Sequence, residues 1–449
     1  MTNPYDQVTY RTFPRRQTHP DRLAAIARFF GMSPAPVTRC RVLEIGCGTG
    51  ANLIPMAFHL PCSRFTGIDL AAAPVAAGSA MAADLGLNNI DLRVADLCDF
   101  GEGEGEFDYI FAHGLYSWIP PVIRDRLLAV CGARLAPHGV AFVSYNVYPG
   151  RYPRQMLREI LLYHLREVED PSERVSEARR LLAQIDHPEA KALMEQGDDT
   201  IFHDDLAPFN DPVWFRDFAA HAQRHGLQYL GEADSHKTFD PSLGQMAAAD
   251  VVEREQYVDF LNLRRFRQSL LCRQENVLDR SGGAARMDEF LFSENSAAHR
   301  IPGGDPVLEA VAQALHDTSP LPAAFEELTL YAGGAERLRE LLYALLATGC
   351  VNLHVHDFPC EESVNERPRA SRLARYQAES GTVVTSACHV PVQLDAIAAR
   401  LVRLLDGTRN HHQLACDLAG TEGAPGLEEI RRHLPGSLDW LARMALLEG

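Results

Sequence analysis

Residues 42–52 read Val-Leu-Glu-Ile-Gly-Cys-Gly-Thr-Gly-Ala-Asn, an apolar run of strand length that meets three glycines and then opens a helical stretch. Gly46, Gly48 and Gly50 remove Cβ atoms where the backbone must turn sharply, so a ligand can approach the start of the following helix. The same loop read as Gly46, Gly48, Ala51 satisfies G-x-G-x-x-A, the fingerprint of a dinucleotide whose pyrophosphate rests on a helix N-terminus. Glu44, two residues before the first glycine, argues against that ligand, because a carboxylate beside the loop repels a pyrophosphate and attracts a cation. Asp69 ends the next apolar run, where an acid accepts from both ribose hydroxyls of either cofactor class. The third run ends in Ala95-Asp96-Leu97, where the acid can accept from an adenine amino group while Leu97 and Leu70 flank the ring. The competing role for Asp96 is to cap a turn.

S-adenosylmethionine fits these demands: it carries a sulfonium and an ammonium and has no phosphate. Cys47 and Asn52, inside the loop and at its end, complete the expected cofactor contacts together with His113, which is read as a backbone neighbour of the methionine moiety rather than a base. Methyl transfer from a sulfonium is an in-line displacement, so catalysis consists mainly of holding the reacting atoms in register and excluding water. A lysine amine with a reference pKa of ~10.4 costs about 4.6 kcal/mol to present neutral at pH 7, and an apolar aromatic channel helps offset that. Tyr5, Tyr10, Tyr116, Trp118, Tyr145 and Tyr148 supply such a lining near the strand ends. Among them Tyr10, Tyr116 and Asn146 are expected to hold the acceptor by hydrogen bonds, and Tyr5, Trp118, Tyr145 and Tyr148 to contact the substrate. The competing role for each aromatic is packing between lid and sheet.

These residues need strands to carry them to one edge. From residue 41 to about 146 apolar runs alternate with amphipathic stretches, the pattern of parallel strands linked by helices. Strands are expected at 41–45, 64–69, 90–95, 107–112 and 139–145, with helices near 51–59, 72–86 and 121–135. Residues 152–197 are charged and helical by pattern, and the helical insertion is set at about 151–210. A helix at 212–225, a strand at 227–233, a helix at 250–263 and a strand at 266–273 carry the first domain to about 275, before the glycine-containing stretch 279–286. The remainder holds a weak repeat of helix, turn, helix and short apolar end. It predicts two winged-helix-like modules, at 285–375 and 376–449.

The chain has 449 residues, 46% hydrophobic and 23% charged, enough for more than one folded core. The net charge of -17 opposes binding to nucleic acid or anionic lipid. Residues 305–449 hold 20 acids against 12 arginines and no lysine, so these modules are expected to pack against protein rather than DNA. Ten cysteines without a C-x-x-C pair fit reduced thiols, and the start shows no apolar signal core, so a cytoplasmic protein without a membrane span is expected. His354, His356 and Cys360 are the nearest thing to a metal cluster, and no metal is expected there.

The order of glycine loop, Asp69, Asp96 and the turn Leu135, Pro137, His138, Gly139 resembles the class I S-adenosylmethionine-dependent methyltransferases. That likeness implies an α/β fold with a Rossmann-like seven-stranded sheet. The segments YDQVTYRTFPRRQTHPDRLAAIARFFGM, HGLYSWIPP, SYNVYPG, FHDDLAPFNDPVWFRDFAAHAQRHGLQYLGEAD and FLNLRRFRQSLLC further resemble bacterial methyltransferases with a methyltransferase regulatory domain, a family that includes protein-lysine methyltransferases acting on outer-membrane proteins. Where that family has an aromatic after the SYN-x-x-PG turn, this chain has Arg151. No Asp/Asn-Pro-Pro-Tyr tetrad follows the fourth strand, which disfavours base or glutamine methylation. The expected activity is methylation of a protein, lysine included, by a chain that can form a homodimer. A small-molecule methyltransferase and a non-catalytic cofactor-binding scaffold remain as alternatives.

Overall fold

The computed structural model describes residues 12–101, 103–238, 250–295, 304–358, 360, 364–420 and 425–448. Its central sheet has seven strands: β1 (Arg41–Ile45), β2 (Arg64–Asp69), β3 (Ile90–Val94), β4 (Phe107–Ala112), β5 (Leu135–Asn146), β6 (Leu227–Glu232) and β7 (Phe266–Arg273). They lie in the order β3-β2-β1-β4-β5-β7-β6. The first five are parallel, and β7 runs antiparallel to both of its neighbours. The order reverses between β1 and β4, which opens a crevice over the carboxyl ends of the strands. The fifth strand starts earlier than expected because Leu135 already pairs with Phe107 before the register shifts.

Side-chain alternation divides the strands between two cores. Val42, Tyr109, Phe111, Val140 and Phe142 face the helix Pro20–Phe29. Leu43, Ile110, Ala112, Ala141 and Val143 face the other way, onto the helices Pro121–Arg134 and Phe215–Arg224. Both faces are covered, which explains why these strands read as near-continuous apolar runs.

The insertion is a small helical unit. Helices Tyr152–His164, Pro171–Leu182 and Pro188–Met194 enclose a core built on Leu157, Leu161, Ala178, Leu182 and Leu193. Its polar seam is a buried bidentate pair in which Arg154 donates to both oxygens of Asp205 at 2.6 and 2.8 Å.

The first C-terminal unit has three helices, Pro306–Thr318, Phe325–Ala332 and Ala335–Ala347, against strands β8 (Leu291–Glu294), β9 (Ala323–Ala324) and β10 (Val351–His354). Its Phe292, Leu315, Leu342 and Leu353 belong to the same hydrophobic core as Leu23 and Ile26 of the helix Pro20–Phe29, so this helix is packed on both sides. The second unit has a separate core that includes Ala374, Leu401, Leu414 and Leu438. The expected division at 375/376 falls inside the helix Arg372–Ser380, whose Ala374 and Ala378 both enter that core. No described helix is long and apolar enough to cross a membrane.

Candidate active site

After β1 the chain turns through Gly46, Gly48 and Gly50 at φ of 80°, 52° and 69°, a left-handed run that only glycine adopts without strain. The N–H groups of Gly46 and Cys47 donate to Ile68 O at 2.8 and 3.1 Å, which anchors the loop to β2. Two glycines not singled out from the sequence let neighbouring elements close in. A Cβ on Gly67 would lie 2.8 Å from the Cys47 sulfur, and one on Gly78 only 2.2 Å from Thr49 O. Their legible signal is a glycine in the middle of a strand and another in the middle of a helix, each marking a close backbone approach.

Asp69 stands at the rim of this loop. Its Oδ2 accepts from Gly48 N–H at 2.8 Å and its Oδ1 from Ala71 N–H at 2.9 Å. The carboxylate is therefore fixed, and each oxygen retains acceptor capacity for a hydroxyl.

Glu44 is only 5% exposed. Its Oε1 accepts from Asn52 Nδ2 at 2.8 Å, and its Oε2 is buried with no partner among the described residues. Burial, reinforced by the charge of Asp69, pushes its pKa up to about 8. An unpartnered carboxylate oxygen beside a glycine cradle suits a ligand ammonium, so the residues fit S-adenosylmethionine: Asp69 would hold the ribose and Glu44 the ammonium.

On the adenine side the expectations divide. Leu70 is 61% exposed and free to cover a ring, and Ala95 donates its N–H to Asp69 O at 3.0 Å. Leu97 is only 7% exposed and sits in the core, so it supports this wall from below instead of flanking a base. Asp96 is exposed, and its Oδ1 caps a turn by accepting Cys98 N–H at 2.8 Å. Asn52 is corrected more strongly, because its amide is consumed inside the protein. It donates to Glu44 and to Thr18 Oγ1, and its Oδ1 accepts from Arg15 N–H at 2.9 Å and faces His389 Nε2 at 3.0 Å. Asn52 thus positions Glu44 and ties the cofactor loop to the C-terminal region.

His389 is buried in a left-handed turn at φ 57°, its ring centroid 5.3 Å from that of His19, which caps the helix Pro20–Phe29. Burial depresses the His19 pKa to about 3. Along the same helix, His354 Nδ1 and Asp21 Oδ2 are 2.7 Å apart, and His354 Nε2 lies 2.8 Å from Ser293 Oγ. Burial holds His354 near pKa 4, and although burial opposes the charge on Asp21, His354 keeps it at about 2. Nδ1–H therefore donates to an ionised carboxylate, and Nε2 accepts from the serine. The pairing of His354 with Asp21 was not legible beforehand, since it joins residues 333 positions apart.

On the acceptor side, Tyr5 and Tyr10 lie outside the described residues. Tyr116 and Tyr145 are core side chains and do not face an acceptor. The Tyr116 hydroxyl meets His221 Nδ1 at 2.9 Å, and Tyr145 stacks on Phe218 with its hydroxyl 2.8 Å from Ser269 Oγ. Asn146 is also buried, and its Nδ2 donates to Asn210 Oδ1 at 2.7 Å, which joins the insertion to β5. His113 lies 3.1 Å from Ser144 Oγ, and burial lowers its pKa to about 4, so it is neutral at pH 7. Trp118 keeps a buried Nε1–H with no partner among the described residues.

Of the expected substrate aromatics among the described residues, Tyr148 joins an open aromatic row. It stacks on Tyr152 at 4.4 Å and lies 5.4 Å from Trp214, which meets Phe260 edge-on at 5.7 Å. Tyr152 is 53% exposed and Phe260 is also exposed. Tyr152 supplies the aromatic that Arg151 lacks, one position later, while Arg151 itself is drawn toward Asp205 and Asp204. Tyr152, Trp214 and Phe260 were missed because three separate segments bring them together.

The glycine loop, its acids and the seven-stranded order define a class I S-adenosylmethionine-dependent methyltransferase. Residues 42–139 match a methyltransferase domain, 197–273 a domain described as a predicted methyltransferase regulatory domain, and 366–424 the PKMT C-terminal winged helix domain. An uncharacterized protein of Rickettsia prowazekii is 31% identical over 240 residues, which cover 50% of this chain and 96% of that one. A second from the same organism is 28% identical over 90% of this chain and 83% of its own length. PKMT2 from Rickettsia typhi, solved in complex with AdoHcy, superimposes with a TM-score of 0.85 at 26% identity, covering 98% of this chain and 100% of that one. The chain belongs to the methyltransferases that carry a methyltransferase regulatory domain, and S-adenosylmethionine is its methyl donor.

Proposed function

We propose that this methyltransferase modifies a protein, with a lysine amine as acceptor. The observation that carries the reading is the open row of Tyr148, Tyr152, Trp214 and Phe260 beyond the carboxyl end of β5, the edge that also bears the cofactor loop. Asp211 and Glu159 lie near enough to Tyr148 to act on its hydroxyl. Ring faces beside carboxylates attract an ammonium, and an exposed row admits a side chain presented on a polypeptide. The likeness to PKMT2, a protein lysine methyltransferase by name, supports the same acceptor.

Bound S-adenosylmethionine supplies a methyl group activated by its sulfonium. The chain's own contribution is placement: Asp69 and Glu44 hold the donor, and the aromatic row aligns the amine and lowers its hydration. The test is incubation of the purified chain with methyl-labelled cofactor and a cell extract, followed by total hydrolysis of the protein fraction. Label recovered as methylated lysine is expected, whereas label only in small molecules would overturn the proposal.

A further inference from the structure

Where the helices Pro121–Arg134 and Phe215–Arg224 meet, on the sheet face they cover, three ligand-type side chains converge. His221 lies on the helix Phe215–Arg224 and His225 caps its end, so the four-residue spacing puts both rings on one face. His221 Nε2 and His225 Nε2 point at the same atom, Asp125 Oδ1, at 3.0 and 2.9 Å. Asp125 belongs to the neighbouring helix Pro121–Arg134, and all three donor atoms lie within 4.8 Å of one another. Donors around one tetrahedral zinc stand about 3.3 Å apart, given bonds of about 2.0 to 2.1 Å. The cluster is already close to that spacing.

We infer that Asp125, His221 and His225 form a binding site for a divalent transition-metal ion, zinc by ligand chemistry, that clamps these two helices together. Two imidazoles and a carboxylate without thiolate are a zinc-competent set, with a fourth position left to water. The Asp125 side chain is 57% exposed, which gives the ion an entry route, while the imidazoles are 11% and 17% exposed.

Two further features show a built site. Without a metal, His221 Nε2–H donates to Asp125 and the Tyr116 hydroxyl, 2.9 Å from Nδ1, donates to that nitrogen; with a metal on Nε2 the ring proton would sit on Nδ1 and the same hydroxyl would accept it as an outer partner. Tyr116 is itself held by Phe218 and Tyr145 at centroid distances of 5.1 and 5.6 Å. The helix spacing is set by Gly132, where a Cβ would come within 2.1 Å of His225 O. Arg124 lies over the Tyr116 ring at 5.4 Å, and Arg224, Asp125 and Asp217 are the other charges near its hydroxyl. Trp214 is the N-cap of that helix, so an ion at its far end would also steady one wall of the aromatic row.

The test uses the full chain, stripped with a chelator and titrated with zinc and then cobalt chloride. One equivalent should bind per chain and raise the melting temperature by several degrees, and the cobalt form should show d–d bands without thiolate charge transfer. His225→Gln and Asp125→Asn should each weaken binding at least tenfold, and Tyr116→Phe by about tenfold. Calorimetric S-adenosylmethionine affinity, unchanged in His225→Gln and Asp125→Asn, reports that these variants fold. Absence of stoichiometric uptake would overturn the site. So would equal uptake by wild type and the Asp125→Asn/His225→Gln double variant, since the ion would then sit elsewhere, for example at Cys416 and His412, whose Sγ and Nε2 are 3.8 Å apart.

Discussion

At the scale of single residues, Glu44 is a carboxyl under tension between burial and its purpose. In the cofactor-free chain its proton leaves only near pH 8, against an ordinary value of 4.5. The bound proton favours the folded state fully below about pH 4.5, and that contribution is lost as pH rises through 8. A cationic ligand reverses the preference by pairing with the carboxylate. Binding of S-adenosylmethionine below pH 8 should therefore release a proton from Glu44, detectable as a buffer-dependent calorimetric enthalpy. Glu44→Gln should weaken binding by about 1.5 to 3 kcal/mol, the range for hydrogen bonds to a charged group, and abolish the Glu44 part of the proton release. An unchanged affinity would remove Glu44 from the site. Its carboxylate and the three glycines were readable because they are neighbours in sequence. Asn52 was misread because the partners that absorb its amide come from residues 15, 18 and 389.

At the scale of elements, the acceptor wall is assembled from the turn after β5, the start of the insertion, the N-cap of the helix Phe215–Arg224 and the last turn of the helix Val251–Asn262. Trp214→Ala should raise KM for the protein acceptor by about five- to thirtyfold, equivalent to 1 to 2 kcal/mol, while the S-adenosylmethionine affinity stays within twofold of wild type. Loss of cofactor affinity instead would place Trp214 in the donor site.

β7 carries the other buried constellation. Arg267 is fully buried beneath the ring of Phe215 and donates to Glu232 at 2.6 Å, Asp259 at 2.9 Å and Glu255 at 3.0 Å. Burial opposes its charge, but these carboxylates hold the guanidinium firmly protonated. Arg267→Met leaves Glu232 buried without its paired cation, and Asp259 and Glu255 with only Arg264, at 3.4 and 3.6 Å; it should destabilise the fold by about 3 to 5 kcal/mol, seen as a fall in the first melting transition. A melting temperature within two degrees of wild type would refute that. The run FRQSLLCR identified the strand correctly, yet nothing in its alternation revealed that its arginine points into the interior.

At the scale of the molecule, the C-terminal region reaches the catalytic unit through buried neutral histidines. His354 braces Asp21 on the helix Pro20–Phe29, and His389 braces Asn52 at the cofactor loop. Burial takes His19 to about 3 and His354 to about 4, against an ordinary 6.5. Groups depressed in this way stabilise the fold above pH 6.5, and the contribution is lost as pH falls toward 4. Below that, Asp21 adds a second loss between its ordinary 3.8 and about 2. The urea midpoint should therefore fall steadily from pH 7 to 4.5, and His354→Gln should shallow the slope. A midpoint constant over that range would contradict neutral histidines at this junction. The same packing changes the role of the acidic C-terminal region: its first unit shares one core with the helix Pro20–Phe29, so a substantial part of its surface braces the catalytic unit.

The sequence by itself determined the α/β order, the cofactor loop with its acids and the donor chemistry, because each of those signals is local: a strand, a turn and a carboxylate within a few residues. Tertiary structure decided which tyrosines face outward, because Tyr116 and Tyr145 sit on strand-end segments that also meet the helix Phe215–Arg224 and are drawn into its core. It also decided that Asn52 serves Glu44 and that the aromatic row gathers Tyr152, Trp214 and Phe260. These are contacts between elements far apart in the chain, and residue type and spacing carry no record of which distant side chain will arrive.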